Sequence, residues 1–294
     1  MQQSVNILLG GVFHAATLFL VAAGLQLVFG VQRIVNLACG SFYALGAFFG
    51  ITLVQKALAA GVPRPLFVLV LLLAGLLLAA LGPVIERLLR FIYDRDESFQ
   101  LLLTFALVLM FEDVLRFFWG TAPYQLGGGL YLLYGQVKAG DLTIPVYNLF
   151  VIAAGLAIAA LMGWLLTRTR FGRIVRATAE NREMSEALGV NMSSVYARVF
   201  TLGTALGTVG GALVVPATAA VLEMGIELIV EAFAVVVIGG LGSMRGAFVG
   251  ALTVGVQKAV AIATYPELEL LAIYLIVIAV LVLRPAGLFA RATA

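Results

Sequence analysis

Four stretches of this chain, 34–55, 65–85, 142–167 and 199–222, contain no charged residue. Each reaches the roughly 20 residues an α-helix needs to cross the hydrocarbon of a bilayer. The apolar runs are continuous, not alternating, which points to helices and away from barrel strands. Of the 294 residues 63% are hydrophobic and 11% charged, where soluble domains carry about 25% charged residues. A soluble core has no use for so much apolar surface, so the excess must face lipid. The expected fold is all-α, a polytopic transmembrane helical bundle forming one domain over residues 1–294.

Spans are predicted near 7–31, 36–58, 65–85, 99–119, 146–167, 196–220, 229–243, 246–264 and 267–284, about eight or nine membrane segments. The first six residues carry no basic cluster, so the first apolar run is expected to stay as a span and not to be cleaved as a signal peptide. Basic residues gather in the 86–95 loop, the 168–182 loop and the C-terminal tail, and the positive-inside rule makes these cytoplasmic. Arg33, Arg87, Arg90, Arg95, Arg168, Arg170, Arg173, Arg176, Arg182, Arg198, Arg245, Arg284 and Arg291 then face inside, whereas Lys56, Arg64, Arg116, Lys138 and Lys258 do not. The 229–264 stretch decides the parity. As one crossing it would place Arg284 and Arg291 outside. As a hairpin turning at Gly242-Ser243-Met244-Arg245-Gly246 it places them inside, with the N-terminus outside.

Gly46-Ala47-Phe48-Phe49-Gly50 and Gly246-Ala247-Phe248-Val249-Gly250 are near copies, each downstream of a Gly-Ser pair, Gly40-Ser41 and Gly242-Ser243. With both running in one direction, they read as a parallel internal repeat. Gly-interrupted apolar segments in matching halves mark broken helices that line a membrane pathway. Asn36, Gly40, Ser41, Gly240, Gly242 and Ser243 are therefore the pathway candidates, with close helix packing as the competing reading. For Gly203, Gly207 and Gly211, a GxxxGxxxG series, packing is the preferred reading. No GxxxxGK[ST] occurs, so the chain has no P-loop of its own.

Residues 172–191, GRIVRATAENREMSEALGVN, are the longest strongly charged stretch. The segment is too polar for lipid and lies between two spans. Ala177 to Leu188 is rich in helix formers, and Gly189 sits where a left-handed C-terminal cap belongs, so a helix is predicted over 178–188. Ala177, Met184, Ala187 and Leu188 give it an apolar stripe. The residues alone allow docking on a soluble partner or a solvated helix whose arginines only anchor topology.

Glu112, Asp113 and Arg116 fall within a span, where ionisable groups are functional candidates by default. Glu112 and Arg116 are spaced to pair on one helix face near the outer end, as a structural anchor or a pathway site. Lys258 reads as a snorkelling residue, His14 as a lone histidine on an apolar span, and Cys39 as the single cysteine. No nucleophile, base or metal-ligand spacing stands out, so the chain is expected to be no enzyme and to hold no cofactor or metal. The net charge of +3 sits mostly on span flanks and gives no ground for a nucleic-acid partner.

Four motifs resemble those of the permease subunits of branched-chain amino-acid ABC importers, a family that includes urea and short-chain amide importers. They are Phe29-Gly30-Val31-Gln32-Arg33-Ile34-Val35-Asn36-Leu37-Ala38, Thr143-Ile144-Pro145-Val146-Tyr147-Asn148-Leu149-Phe150, Arg176-Ala177-Thr178-Ala179-Glu180-Asn181 running on to Ala187-Leu188-Gly189-Val190-Asn191, and Ile238-Gly239-Gly240-Leu241-Gly242-Ser243 with Gly246-Ala247 and Gly250-Ala251. Many relatives carry a His-Gly-acid run after the first motif. Here it is Cys39-Gly40-Ser41, with neither imidazole nor carboxylate.

The resemblance implies a permease in a prokaryotic cell membrane, driven by two ATP-binding-cassette subunits. It also implies a second homologous permease subunit and a periplasmic or lipid-anchored substrate-binding protein. It makes 168–195 a cytoplasmic coupling loop, with Ala179, Glu180, Asn181, Arg182, Met184, Ala187, Leu188 and Gly189 meeting the ATPases. Glu223, Glu227, Glu231, Glu267 and Glu269 would form an acidic outer rim, either docking the binding protein or simply solvated. The implied cargo is a branched-chain or other small amino acid. A urea or amide permease, or an ion-coupled carrier using Glu112 and Asp113, are the alternatives.

Overall fold

The computed structural model describes residues 2–93, 95–127, 129–139, 142–284 and 287–289. Its helices are α1 (Gln2–Gln32), α2 (Cys39–Ala59), α3 (Phe67–Leu78), α4 (Leu81–Leu89), α5 (Glu97–Trp119), α6 (Val146–Arg168), α7 (Arg170–Glu180), α8 (Arg182–Ala187), α9 (Met192–Val214), α10 (Met224–Gly239), α11 (Met244–Thr264) and α12 (Glu269–Leu283). One short antiparallel ribbon, β1 (Gln136–Ala139) with β2 (Leu142–Pro145), precedes α6 and pairs Val137 with Ile144. Among the described residues, six helical segments are long and apolar enough to cross a membrane: 5–32, 39–59, 64–92, 146–168, 192–214 and 244–264. The fold is thus the expected polytopic helical bundle, with the ribbon as an unforeseen addition.

Helix ends follow local chemistry. Asn191 and Ser243 cap α9 and α11, accepting from Ser194 N at 3.0 Å and Gly246 N at 3.1 Å. α9 was expected to run to 220 but stops at Val214. Pro216 follows two residues later, and it has no N–H with which to continue the helical ladder.

α9 is the hub of the bundle, and small residues let its neighbours approach. A Cβ on Gly211 would lie 1.8 Å from Tyr43 O of α2, and one on Gly24 of α1 would lie 2.7 Å from Gly203 O. Gly75 and Gly82 bring α3 and α4 against Val209 and Thr201. Lipid tails offer helices no hydrophobic drive to associate, so this close packing does the holding. Hydrogen bonds add to it: Thr208 donates to Gly75 O at 2.8 Å, and Tyr147 donates to Leu213 O at 2.6 Å. The packing reading of the 203–211 glycines therefore describes what they do.

The same contacts fix directions. α1 lies antiparallel to α11, with Gly11 facing Gly255 and Gly30 facing Gly242, and antiparallel to α9. α2 runs with α9, since Cys39 lies beside Gly207 and Tyr43 beside Gly211. α2 and α11, which carry the two Gly-Ala-Phe segments, therefore run in the same direction. Gly239 faces Gly246 and Val235 faces Gly250, so α10 and α11 form the expected hairpin.

One end of the bundle is basic. Gln32 donates to Tyr196 O at 3.1 Å, the Tyr93 ring packs edge-on to Tyr196 at 5.3 Å, and Leu288 N donates to Ile238 O. The ends of α1, α4 and α12, the start of α9, the α10–α11 turn and α7–α8 thus meet there. The arginines grouped by charge share this end; Arg291 lies outside the described residues. Lys56, Arg64 and Lys138 lie towards the opposite end, where Tyr124 pairs with Ala220.

Candidate translocation and coupling sites

Between α1 and α2 the chain is unwound. Arg33, the one non-glycine described residue with positive φ (55°), ends α1, and residues 33–38 form no helix. Gln32 is level with Tyr196, yet Cys39 lies at Gly207, eleven residues further along α9. At 1.5 Å per residue the unwound segment re-enters the bundle by about 16 Å before α2 begins. Such backbone survives at membrane depth only when its polar groups are satisfied inside the protein. Asn36 is buried and accepts from Ala38 N at 3.1 Å, and Thr104 of α5 donates to Val35 O at 3.3 Å.

Gly40 packs against the Gly225 backbone at the start of α10, with Ser41 buried beside it. Ser41 lines a shallow open cleft with Ala44, Val108, Glu112, Leu115 and Ile226 among its walls. Glu112 pairs with Arg116 at 2.8 Å, as their spacing foretells, and Arg116 also meets Asp113 at 3.3 Å. Glu112 is not at the helix end: it lies seven residues, about 10 Å, inside Trp119. Phe111 and Phe42 pack edge-on at 5.5 Å and set this depth.

Gly240, Gly242 and Ser243 lie elsewhere, in the α10–α11 turn. That is fifteen residues, or about 22 Å, along α10 from Gly225. There Gln26 of α1, itself buried, donates to Gly240 O at 2.9 Å and Ser243 O at 3.4 Å, and accepts from Gly242 N at 2.6 Å. One amide thus bonds three backbone groups of the turn; Gly240 O and Ser243 O also accept from Ser243 N and Ala247 N, and Gln26 is the partner of the Gly242 N–H. Of the pathway candidates, the structure brings Asn36, Gly40 and Ser41 together and holds Gly240, Gly242 and Ser243 apart from them.

The charged loop is two helices, not one. The single helix expected over 178–188 is broken at Asn181, whose φ of −148° and ψ of 102° leave helical space. Its side chain accepts from Met184 N at 2.8 Å and caps α8. Thr169 likewise caps α7, accepting from Gly172 N at 3.1 Å. Gly189, with φ +86°, closes α8 as expected. Ala179 sits at the edge of α7, and the Arg182 guanidinium lies 5.7 Å from the Tyr196 ring centre. Met184 and Leu188 are 59% and 78% exposed, with Ala177 and Ala187 also at the surface. The apolar stripe therefore points outward from the basic end, while Ser185 turns inward and donates to Asn181 O at 2.8 Å.

One cluster escaped the sequence reading. Glu231 of α10 is 3% exposed and no part of a rim. It meets His14 of α1 and Lys258 of α11, each at 2.6 Å, and Lys258 also meets Glu269 of α12 at 2.8 Å. Lys258 does not snorkel and His14 is not alone: Glu231 ties α1, α10 and α11, and Lys258 extends the cluster to Glu269 of α12. Glu223, Glu227 and Glu267 are exposed. A second buried carboxylate, Glu86, accepts from Arg90 at 2.6 Å and from Tyr93 OH at 3.1 Å. Burial and that carboxylate push the Tyr93 phenol well above its ordinary range. Among the described residues, no group of three or more His, Cys, Asp or Glu is placed to hold a metal ion.

A hub helix, an unwound re-entrant segment and an outward-facing pair of short helices define a multi-pass membrane protein of the transport class. The family described as "Branched-chain amino acid transport system / permease component" matches residues 7–281, and the chain belongs to it. The high-affinity branched-chain amino acid transport system permease protein BraD of Pseudomonas aeruginosa is 27% identical, over 99% of this chain and 96% of its own. The corresponding LivH protein of Escherichia coli is 25% identical over 96% of this chain and 94% of its own. Among solved structures, PsaBC from Streptococcus pneumoniae in complex with Fab covers 92% of this chain and 87% of its own at 12% identity and a TM-score of 0.46.

Proposed function

We propose that this chain forms half of the translocation pathway of an ATP-driven importer that brings a branched-chain or other small amino acid into the cytoplasm. The names of its relatives support the cargo class. The positive-inside rule supports a cytoplasmic basic end, hence an external N-terminus and an internal C-terminus. Two ATP-binding-cassette subunits, a second permease and a substrate-binding protein complete the assembly in this reading.

The observation that carries it is the exposed pair Met184 and Leu188 at the tip of the 168–195 loop. A short apolar face held on a polar loop fits a groove on a soluble motor. Ala179, Glu180, Asn181, Arg182, Ala187 and Gly189 frame that face. The loop is stiffly joined to the bundle. A Cβ on Gly172 of α7 would fall 2.3 Å from Leu165 O of α6, and Val190 N donates to Ser185 O at 3.1 Å just before α9. Motor closure would displace α6 and α9 together. α9 touches Cys39, Phe42 and Tyr43, so the push reaches the unwound segment and, with it, Asn36, Gly40 and Ser41. Gly240, Gly242 and Ser243, held by Gln26, would line the cytoplasmic end of the route.

Leu188→Asp and Met184→Asp test the reading, because both side chains are exposed and neither supports the fold. In proteoliposomes holding the whole importer, each should release the ATPases and cut ATP-dependent leucine uptake at least tenfold. Uptake at the wild-type rate in both variants would refute the coupling role. Uptake abolished by collapsing an ion gradient but indifferent to ATP would refute the motor.

A further inference from the structure

We infer that the exposed side of α5 is the surface that meets the second permease subunit; this rests on the importer reading above and deepens it. α5 packs on the bundle through one side. Phe111 meets Phe42 of α2 edge-on at 5.5 Å, and Trp119 donates to Thr52 of α2 at 2.7 Å. On the opposite side Phe99, Leu102, Ala106, Leu109, Asp113 and Arg116 are all exposed. Their spacing alternates between three and four residues, which sets them in one stripe along the helix. Asp113 is 76% exposed and Arg116 49%. Residue 108 is the midpoint of α5, so Asp113 lies about 8 Å from the middle of the span, inside the roughly 15 Å half-thickness of the hydrocarbon.

Charged side chains within a span face protein or water, not lipid. The exposed sides of α3, α6 and α12 obey this rule. Leu69 and Leu73, Leu156 and Leu161, and Leu275 and Ile278 stand out from them, and 67–78, 146–167 and 270–283 hold no charged residue. α5 breaks it. Of the partners in the importer reading, the ATPases lie at the cytoplasmic face and the binding protein outside, so the second permease is the one that reaches this depth. The charges state what that partner must offer. Glu112 and Asp113 share the one guanidinium of Arg116. The stripe therefore keeps an excess of negative charge and calls for a cation or a hydrogen-bond donor opposite Asp113. Ala106, two turns along from Asp113, has no bulk to hold a facing helix away.

The test places a photoreactive benzophenone side chain at Leu109 in the complete importer, in its membrane, and identifies the products of ultraviolet illumination by mass spectrometry. Leu109 should give a covalent product between this chain and the second permease. The same group at Leu73 of α3 or Leu156 of α6 should capture lipid at least tenfold more often than any subunit. The assignment is overturned if Leu109 labels lipid only, or if Leu73 or Leu156 captures the second permease as efficiently as Leu109. Ala106→Trp gives an independent reading, because a tryptophan ring fits among lipid tails but not in a packed helix seam. Recovery of the second permease with Ala106→Trp should fall at least fivefold, while Ala160→Trp on the exposed side of α6 should stay within twofold of the wild type. Wild-type recovery in Ala106→Trp would also overturn the assignment. A wild-type importer that holds no second permease would instead sink the importer reading itself.

Discussion

Glu231 and Lys258 meet at 2.6 Å inside the bundle, with His14 on the other oxygen of the same carboxylate. Removing one member of a buried pair strands the other, at about 3–5 kcal/mol, whereas replacing the whole set with apolar residues is often neutral. Glu231→Ala strips His14 of its carboxylate and leaves Lys258 with Glu269 alone. It should lower the melting temperature of the detergent-solubilised protein by several degrees. Glu231→Leu combined with Lys258→Met should recover much of that loss. A double variant no more stable than Glu231→Ala would show that the cluster does more than balance its own charges.

Gln26 holds the α10–α11 turn with three hydrogen bonds. Gln26→Leu keeps most of the side-chain volume and strands the Gly242 N–H, while Gly240 O and Ser243 O keep Ser243 N and Ala247 N as donors. The expected loss is about 1–3 kcal/mol, concentrated locally. Hydrogen exchange should accelerate at the Gly242 amide and through 243–246 while α9 stays protected. Uniform exchange across the chain would mean that the turn holds itself.

Asn181 separates α7 from α8. Asn181→Ala removes the cap, worth about 1 kcal/mol, and lets the segment run on as one helix. Met184 and Leu188 would then rotate relative to α7. The expected result is a protein of near-normal abundance whose ATP consumption per transported solute rises several-fold. Asn181→Asp retains the capping oxygen and should restore the ratio. Equal stoichiometry in Asn181→Ala and wild type would show that the break is irrelevant to coupling.

Much of this architecture is legible in the residues because its causes are local. Uncharged runs become spans, Gly189 closes a helix, and the charge distribution forces the 229–264 hairpin. The Asn181 break was also readable: Asn followed by Glu183 in the next turn is a helix-start signal, but the surrounding helix formers outweighed it in a sum of propensities. The Glu231 cluster was not readable. Its members stand on four separate helices, and His14 and Glu231 are 217 positions apart. Each alone looks like an ordinary rim acid, snorkelling lysine or isolated histidine, and only the packing of α1 against α11 brings them together. The depth of Ser41 and Glu112 is hidden for the same reason, since an unwound segment that climbs back into the bundle has no periodicity to betray it.

Gly211 and Gly163 make a matched pair for testing the close-packed hub. Both are helical glycines, and intrinsic propensity alone makes alanine better than glycine by roughly 1 kcal/mol in either helix. Their surroundings differ: a Cβ at Gly211 would lie 1.8 Å from Tyr43 O, while at Gly163 nothing stands within 4 Å. The Tyr43 carbonyl belongs to helix backbone and cannot swing aside, so Gly211→Ala must push α2 off α9. Gly163→Ala should hold or slightly raise the melting temperature. Gly211→Ala should lower it and also disturb the Cys39–Ser41 turn that α9 supports, so that a maleimide reaches the buried Cys39 thiol faster than in the wild type. Equal melting temperatures and equal labelling rates in the two variants would mean that α2 and α9 tolerate separation, and that α9 is not the hub through which the bundle transmits movement.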